Sequence, residues 1–203
     1  MKVNELYAYG WPTAKSVGVR TYTCGNCGDH VASGRGYPLA FHADGSGDAV
    51  GGLYLCPRCN FPTQFCPNGS QVPGERIGGD VTHVPADVAA LYDEARTCAT
   101  ENCHTAAVLI CRKILMNLAV SVGATAGLRF IEYVEFLSSA GYVPPNGKHW
   151  VDHIRTKGNE ATHEIQLMGE QEARELLLFI EMLLRFIYEF PALVPKAAPG
   201  TPV

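Results

Sequence analysis

The chain has 203 residues with 16 Lys/Arg against 20 Asp/Glu, a net charge of −4 and 47% hydrophobic residues. That length suits one medium domain, or a small one in front of a medium one. No basic tail or run is present, so a broad, salt-sensitive grip on a nucleic-acid backbone is not encoded, and any such contact has to be a local pocket.

The first residues, Met-Lys-Val-Asn-Glu-Leu-Tyr, form no apolar signal core, and no apolar run reaches the ~18 residues of a membrane span. The expectation is a soluble, cytoplasmic protein with no membrane partner. Eight cysteines are then better explained by a reduced compartment and a metal than by disulfides. Charge divides unevenly. Residues 1–80 carry six basic and six acidic residues, whereas residues 81–203 carry ten and fourteen.

Val17–Cys24 reads as a strand entering the first of two CxxC turns, Cys24-Gly-Asn-Cys27. The strand-like run Gly52–Cys56 enters the second, Cys56-Pro-Arg-Cys59, and 28 residues separate the two turns. Two facing turns of this kind supply four sulfurs at tetrahedral angles, the coordination Zn²⁺ favours, so Cys24, Cys27, Cys56 and Cys59 are the expected ligands of one structural zinc per chain. Gly28 and Asn60 follow the second cysteine of each pair, and both tolerate the positive φ that the turn beneath a metal needs. Short strands leading into CxxC turns predict a zinc ribbon. Such a four-sulfur site is closed, and no position is left for a substrate. His30 and Cys66 lie near the pairs in sequence and read as bystanders. Cys98, Cys103 and Cys111 form a weaker third group of thiols. Pro67–Asp80 reads as a linker or long loop.

Beyond residue 80 the apolar periodicity becomes helical. A first helix starts at Pro85 and runs to about Ala99. A second covers about 104–122, with a stripe through Ala107, Ile110, Cys111, Ile114, Leu118 and Val122. Thr125 is placed to cap a third through Leu128–Ala140, stopped by Gly141. A fourth segment opens at Pro144-Pro145-Asn146, and a last helix spans about Glu170–Phe190, ending before Pro191. The expected division is a zinc-ribbon module with linker over 1–80, a helical domain over 81–194 and a disordered tail over 195–203.

Within the fourth segment, Arg155, Asn159 and His163 fall at i, i+4 and i+8, along one stripe if helical. A guanidinium, an amide and an imidazole on one face suit a phosphate: Arg donates bidentately and His moves a proton near neutral pH. The same spacing also fits a solvated face on which Arg155 and His163 pair with Glu160 and Glu164. His149 and His153 lack a third metal ligand nearby, and Trp150 reads as core. Arg112 and Lys113 either flank His163 or face solvent. No nucleotide-binding glycine loop, HExxH or GxSxG motif is present.

Three strings carry a resemblance: Ala106-Ala-Val-Leu-Ile-Cys-Arg-Lys-Ile-Leu, then Ile154-Arg-Thr-Lys-Gly-Asn-Glu-Ala-Thr-His-Glu164, then Glu172-Ala-Arg-Glu-Leu-Leu-Leu-Phe. Together they resemble the bacterial domain of unknown function 4145, a family of the HEPN clan, here preceded by a zinc ribbon. The resemblance implies a mainly α protein: a small N-terminal β ribbon, then a four- or five-helix bundle, often a homodimer through its helices. Relatives occur alone or beside restriction and other defence proteins, and RNA or a protein is the partner the resemblance implies. In active HEPN ribonucleases the 2′-hydroxyl attacks the adjacent phosphate without a metal, across a dimer. In that scheme His163 would be the general acid/base, Arg155 would stabilise the charged phosphorane and Asn159 would orient the pair. The chain departs from the active pattern at Gly158, where many active members have Arg, and at Asn117, where relatives often carry Glu.

Overall fold

The computed structural model describes residues 10–144 and 167–194. These fall into two compact units: residues 1–78 with 96–103, and residues 79–95 with 104–203.

The first unit is a five-stranded antiparallel sheet in sequence order: β1 (Lys15–Thr23), β2 (His30–Ala40), β3 (Ala49–Leu55), β4 (Pro62–Phe65) and β5 (Gln71–Val72). Every strand pairs with its chain neighbour, so each connection is a hairpin. β1 and β3 extend the two strands expected before the CxxC turns. β2 escapes a sequence reading because Gly34, Gly36 and Pro38 interrupt it. Those breakers are what the sheet needs there. A Cβ on Gly36 would collide with Leu53 O, and one on Gly52, opposite Pro38, would lie 2.7 Å from Tyr37 O. The residues read as a linker contain β5, paired with β4 through Gln64↔Val72 and Phe65↔Gln71. The core is small and aromatic. Tyr22, Tyr54 and Phe65 meet edge to face at 5.3–6.5 Å, and the Arg20 guanidinium lies 4.4 Å over Phe65.

The second unit is helical, with most of α1 (Ala86–Thr100), then α2 (His104–Ser121), α3 (Phe130–Ser139) and α4 (Glu170–Leu184). α2 packs on α3 and α4. It is the one described helix whose length and hydropathy match a membrane span. However, Ala107, Val108, Cys111, Ile114, Leu115, Leu118 and Ala119 are buried, and Arg112 and Lys113 interrupt it, as in the centre of a bundle. The Arg112 guanidinium is half-buried, 4.4 Å over Phe130.

Helix ends explain two differences from expectation. Thr125 does not cap α3: Gly127 sits at φ 86°, in the left-handed region, so helical geometry starts at Phe130. There the Arg129 N–H donates to Glu132 Oε2 at 2.8 Å. At the C-terminus the chain does not stop before Pro191. A π-helical turn, Arg185–Glu189, follows α4, and a last α turn, Phe190–Leu193, contains the proline. A proline ring clashes with the carbonyl four residues back, and widening the turn before it, with Phe190 N–H on Arg185 O, relieves that crowding.

The expectation of a mainly α protein is therefore corrected. Helix accounts for 41% of the described residues and the sheet for 20%, a mixed α/β protein. Glycine and proline hid β2, β4 and β5, so only the strands feeding the cysteines were expected. The fourth helical segment and the tail 195–203 lie outside the described residues.

Candidate metal centre

Two turns of the same design build the centre. In the first, Gly28 N–H donates to Cys24 O at 2.9 Å and Cys24 N–H to Asp29 O at 3.0 Å. In the second, Asn60 N–H donates to Cys56 O at 2.8 Å and Cys56 N–H to Phe61 O at 2.9 Å. Gly28 (φ 75°) and Asn60 (φ 56°) turn the chain back at equivalent places, as their residue types predicted.

The turns face each other and interleave their sulfurs. Cys24 Sγ lies 3.6 Å from Cys59 Sγ, and Cys27 Sγ lies 3.8 Å from Cys56 Sγ. All four sulfurs fall within 4.8 Å of one another. A tetrahedron with metal–sulfur bonds of about 2.3 Å has edges of about 3.8 Å. The contacts are far longer than the ~2.05 Å of a disulfide. Cys24, Cys56 and Cys59 are buried and Cys27 is partly so.

The surroundings suit thiolates. Backbone N–H groups of Asn26 and Cys27 reach the Cys24 sulfur, that of Asp29 reaches Cys27, and those of Phe61 and the Asn26 side chain reach Cys59. As bare thiols the group resists full ionisation. The Cys24 S–H donates to Cys59, which holds Cys59 well below the ordinary thiol range and pushes Cys24 up, while burial pushes Cys27 up to about 12. Tyr22 is also held neutral, first by burial and then by Cys56 and Cys24. A buried set of four sulfurs with donors aimed at them fits a soft divalent cation that displaces the remaining protons.

Arg96 was missed by sequence reading. It is 2% exposed on α1 and donates to Ile77 O at 3.1 Å and Gly78 O at 2.8 Å, with its guanidinium 3.8 Å from where a Gly28 Cβ would stand. Its signal was its place in the buried stripe Val88, Tyr92, Ala95 and Ala99. Across the rim, Arg58 pairs with Asp29 at 3.0 Å, but both are exposed, so the pair contributes about 0–1 kcal/mol.

Among the described residues these four cysteines are the only His/Cys/Asp/Glu group within metal-holding range. His30 instead faces Thr23 Oγ1 at 3.5 Å, and Cys66 lies 3.8 Å from Gln64 Nε2. Cys98 and Cys103 lie at the end of α1, and Cys111 is buried in α2. Arg155, Asn159 and His163, with His149, Trp150 and His153, lie outside the described residues.

The chain belongs to the family described as "Domain of unknown function (DUF4145)", whose model matches residues 93–198. The match includes Arg155, Asn159 and His163 but none of the four clustered cysteines. No curated protein and no solved structure matches the chain.

Proposed function

We propose that Cys24, Cys27, Cys56 and Cys59 bind one structural Zn²⁺ that folds a ribbon-like N-terminal module. The carrying observation is the pair of cross-turn sulfur contacts, 3.6 and 3.8 Å, which match the edges of a tetrahedral four-sulfur site. Four protein sulfurs fill such a site, so its work is structural. Metal analysis of the purified chain is expected to give about one zinc per chain, lost in Cys56→Ser. Protein with no bound metal, or with iron in place of zinc, overturns this assignment.

For the helical half we infer a role in binding RNA as a HEPN-like homodimer, in prokaryotic defence. The Arg155/Asn159/His163 spacing and the family match over that segment support this reading. Gly158, at a place where many active HEPN members carry Arg, favours binding over cleavage. The competing readings, a metal-independent endoribonuclease and a non-catalytic protein-interaction module, are separated by one experiment. Labelled single-stranded RNA is mixed with the protein without added divalent ions. Retention of intact RNA, weakened roughly tenfold by Arg155→Ala, is expected from loss of a charged phosphate contact. Cleavage abolished by His163→Ala would make the protein a nuclease. No retention and no cleavage would leave the interaction module.

A further inference from the structure

α1, α2 and α3 finish in the same way. In each, a residue in the left-handed region (Asn102, Gly123, Gly141) is followed by one whose N–H returns to the carbonyl five residues earlier: Cys103 to Cys98 at 2.8 Å, Ala124 to Ala119 at 2.9 Å, Tyr142 to Leu137 at 3.0 Å. This cap sets the two bonded residues against each other, usually as an apolar contact. In α2 and α3 these positions hold the apolar pairs Ala119/Ala124 and Leu137/Tyr142. In α1 the same two positions are both cysteine.

We propose that Cys98 and Cys103 are a redox-active dithiol, closed to a disulfide by hydroperoxide and reopened by thiol reductants. A 2.8 Å hydrogen bond, lengthened by one carbonyl and one N–Cα bond, limits the two Cα atoms to about 6.7 Å apart. That ceiling lies within the Cα span of natural disulfides, about 4.4–6.8 Å. Cys103 is exposed and Cys98 half-buried. Cys103 Sγ turns toward Glu101 O at 3.7 Å, a weak contact that rotation about its Cα–Cβ bond releases.

The chemistry balances. The Cys103 thiolate attacks one peroxide oxygen, the O–O bond breaks, hydroxide leaves and takes a proton, and a sulfenic acid forms. Cys98 sulfur then attacks the Cys103 sulfur, the S–O bond breaks, and a second water leaves with the Cys98 proton. Two thiols lose two electrons and one hydroperoxide gains them. The product locks Ala99–Asn102 in a ring that the hydrogen bonds already shape.

The test uses full-length protein exposed to stoichiometric hydrogen peroxide and then cleaved at arginine. Peptide 97–112 should lose two hydrogens, and cutting after Glu101 should leave its halves joined until reductant is added. Cys111, buried in α2, should remain alkylatable. Both C98S and C103S should abolish the link, and amide exchange at Asn102 and Cys103 should slow in the oxidised form. Oxidation that reaches Cys24, Cys27, Cys56 or Cys59 first, or that stops at an over-oxidised Cys103 with Cys98 still alkylatable, overturns the proposal.

Discussion

Gly28 and Asn60 occupy the same place in the two turns, yet only one has a side chain. A Cβ on Gly28 would meet nothing closer than 3.8 Å, so there is room for it. The difficulty is the φ of 75°, where an L side chain crowds its own carbonyl. Gly28→Ala is therefore expected to destabilise the metal-loaded protein by about 1–2 kcal/mol, whereas Asn60→Gly, with nothing to strain, changes little. Denaturant unfolding of both variants checks this, and equal stability of Gly28→Ala and wild type would contradict it. This part of the centre was legible, because Gly and Asn directly after a CxxC pair imply a left-handed turn. Arg96 was not, because a lone arginine on a helix reads as solvated until the carbonyls of Ile77 and Gly78 are found beside it.

Among the elements, α4 and its π turn hold a short strap of chain by charge. Arg185 lies between Glu181 (2.8 Å) and Glu189 (2.6 Å), and donates to Asp80 O at 3.1 Å. Glu181 accepts Gly79 N–H at 3.0 Å and Glu189 accepts Thr82 N–H at 2.8 Å. The Thr82 N–H, then Arg185, hold the Glu189 carboxyl below the usual range. A carboxyl depressed on folding adds stability that is fully present above its unfolded value, near pH 4.3, and lost as pH falls through the lower folded value. Melting temperature followed from pH 6 to pH 3 should thus fall less steeply for Glu189→Gln than for wild type. Parallel curves would show that this carboxylate is not linked to folding. The helical stripes of α2 and α4 were readable because a 3.6-residue period survives single exceptions. The π turn was not, since Pro191 signals only a stop and not the wider turn that carries the helix past it.

For the whole molecule, the residues that mark turns in most chains also mark close backbone approach in a tight sheet. Gly36, Gly52 and Pro38 look alike in either setting, and only their partners Leu53 and Tyr37 tell the two apart. That is why the sheet was half legible, at the strands feeding the cysteines, while β2, β4 and β5 were not. The clustering of Cys24, Cys27, Cys56 and Cys59 was legible from spacing, since four cysteines in two pairs leave few other arrangements. Net charge is similarly divided. The balanced first 80 residues carry the thiol cluster, and the acidic remainder carries the family's helices, so a phosphate-binding site would depend on local residues rather than an overall field.

The strap at Gly79–Thr82 bears on how the helical half of this chain should be handled at the bench. The family match opens at Asp93, in the middle of α1, but the contacts of Glu181, Arg185 and Glu189 reach back to Gly79, Asp80 and Thr82. An expression clone cut at the family boundary would split a helix and strip three anchoring carboxylate and guanidinium groups of their backbone partners. One that starts at Gly79 keeps the helical half with its own fastening.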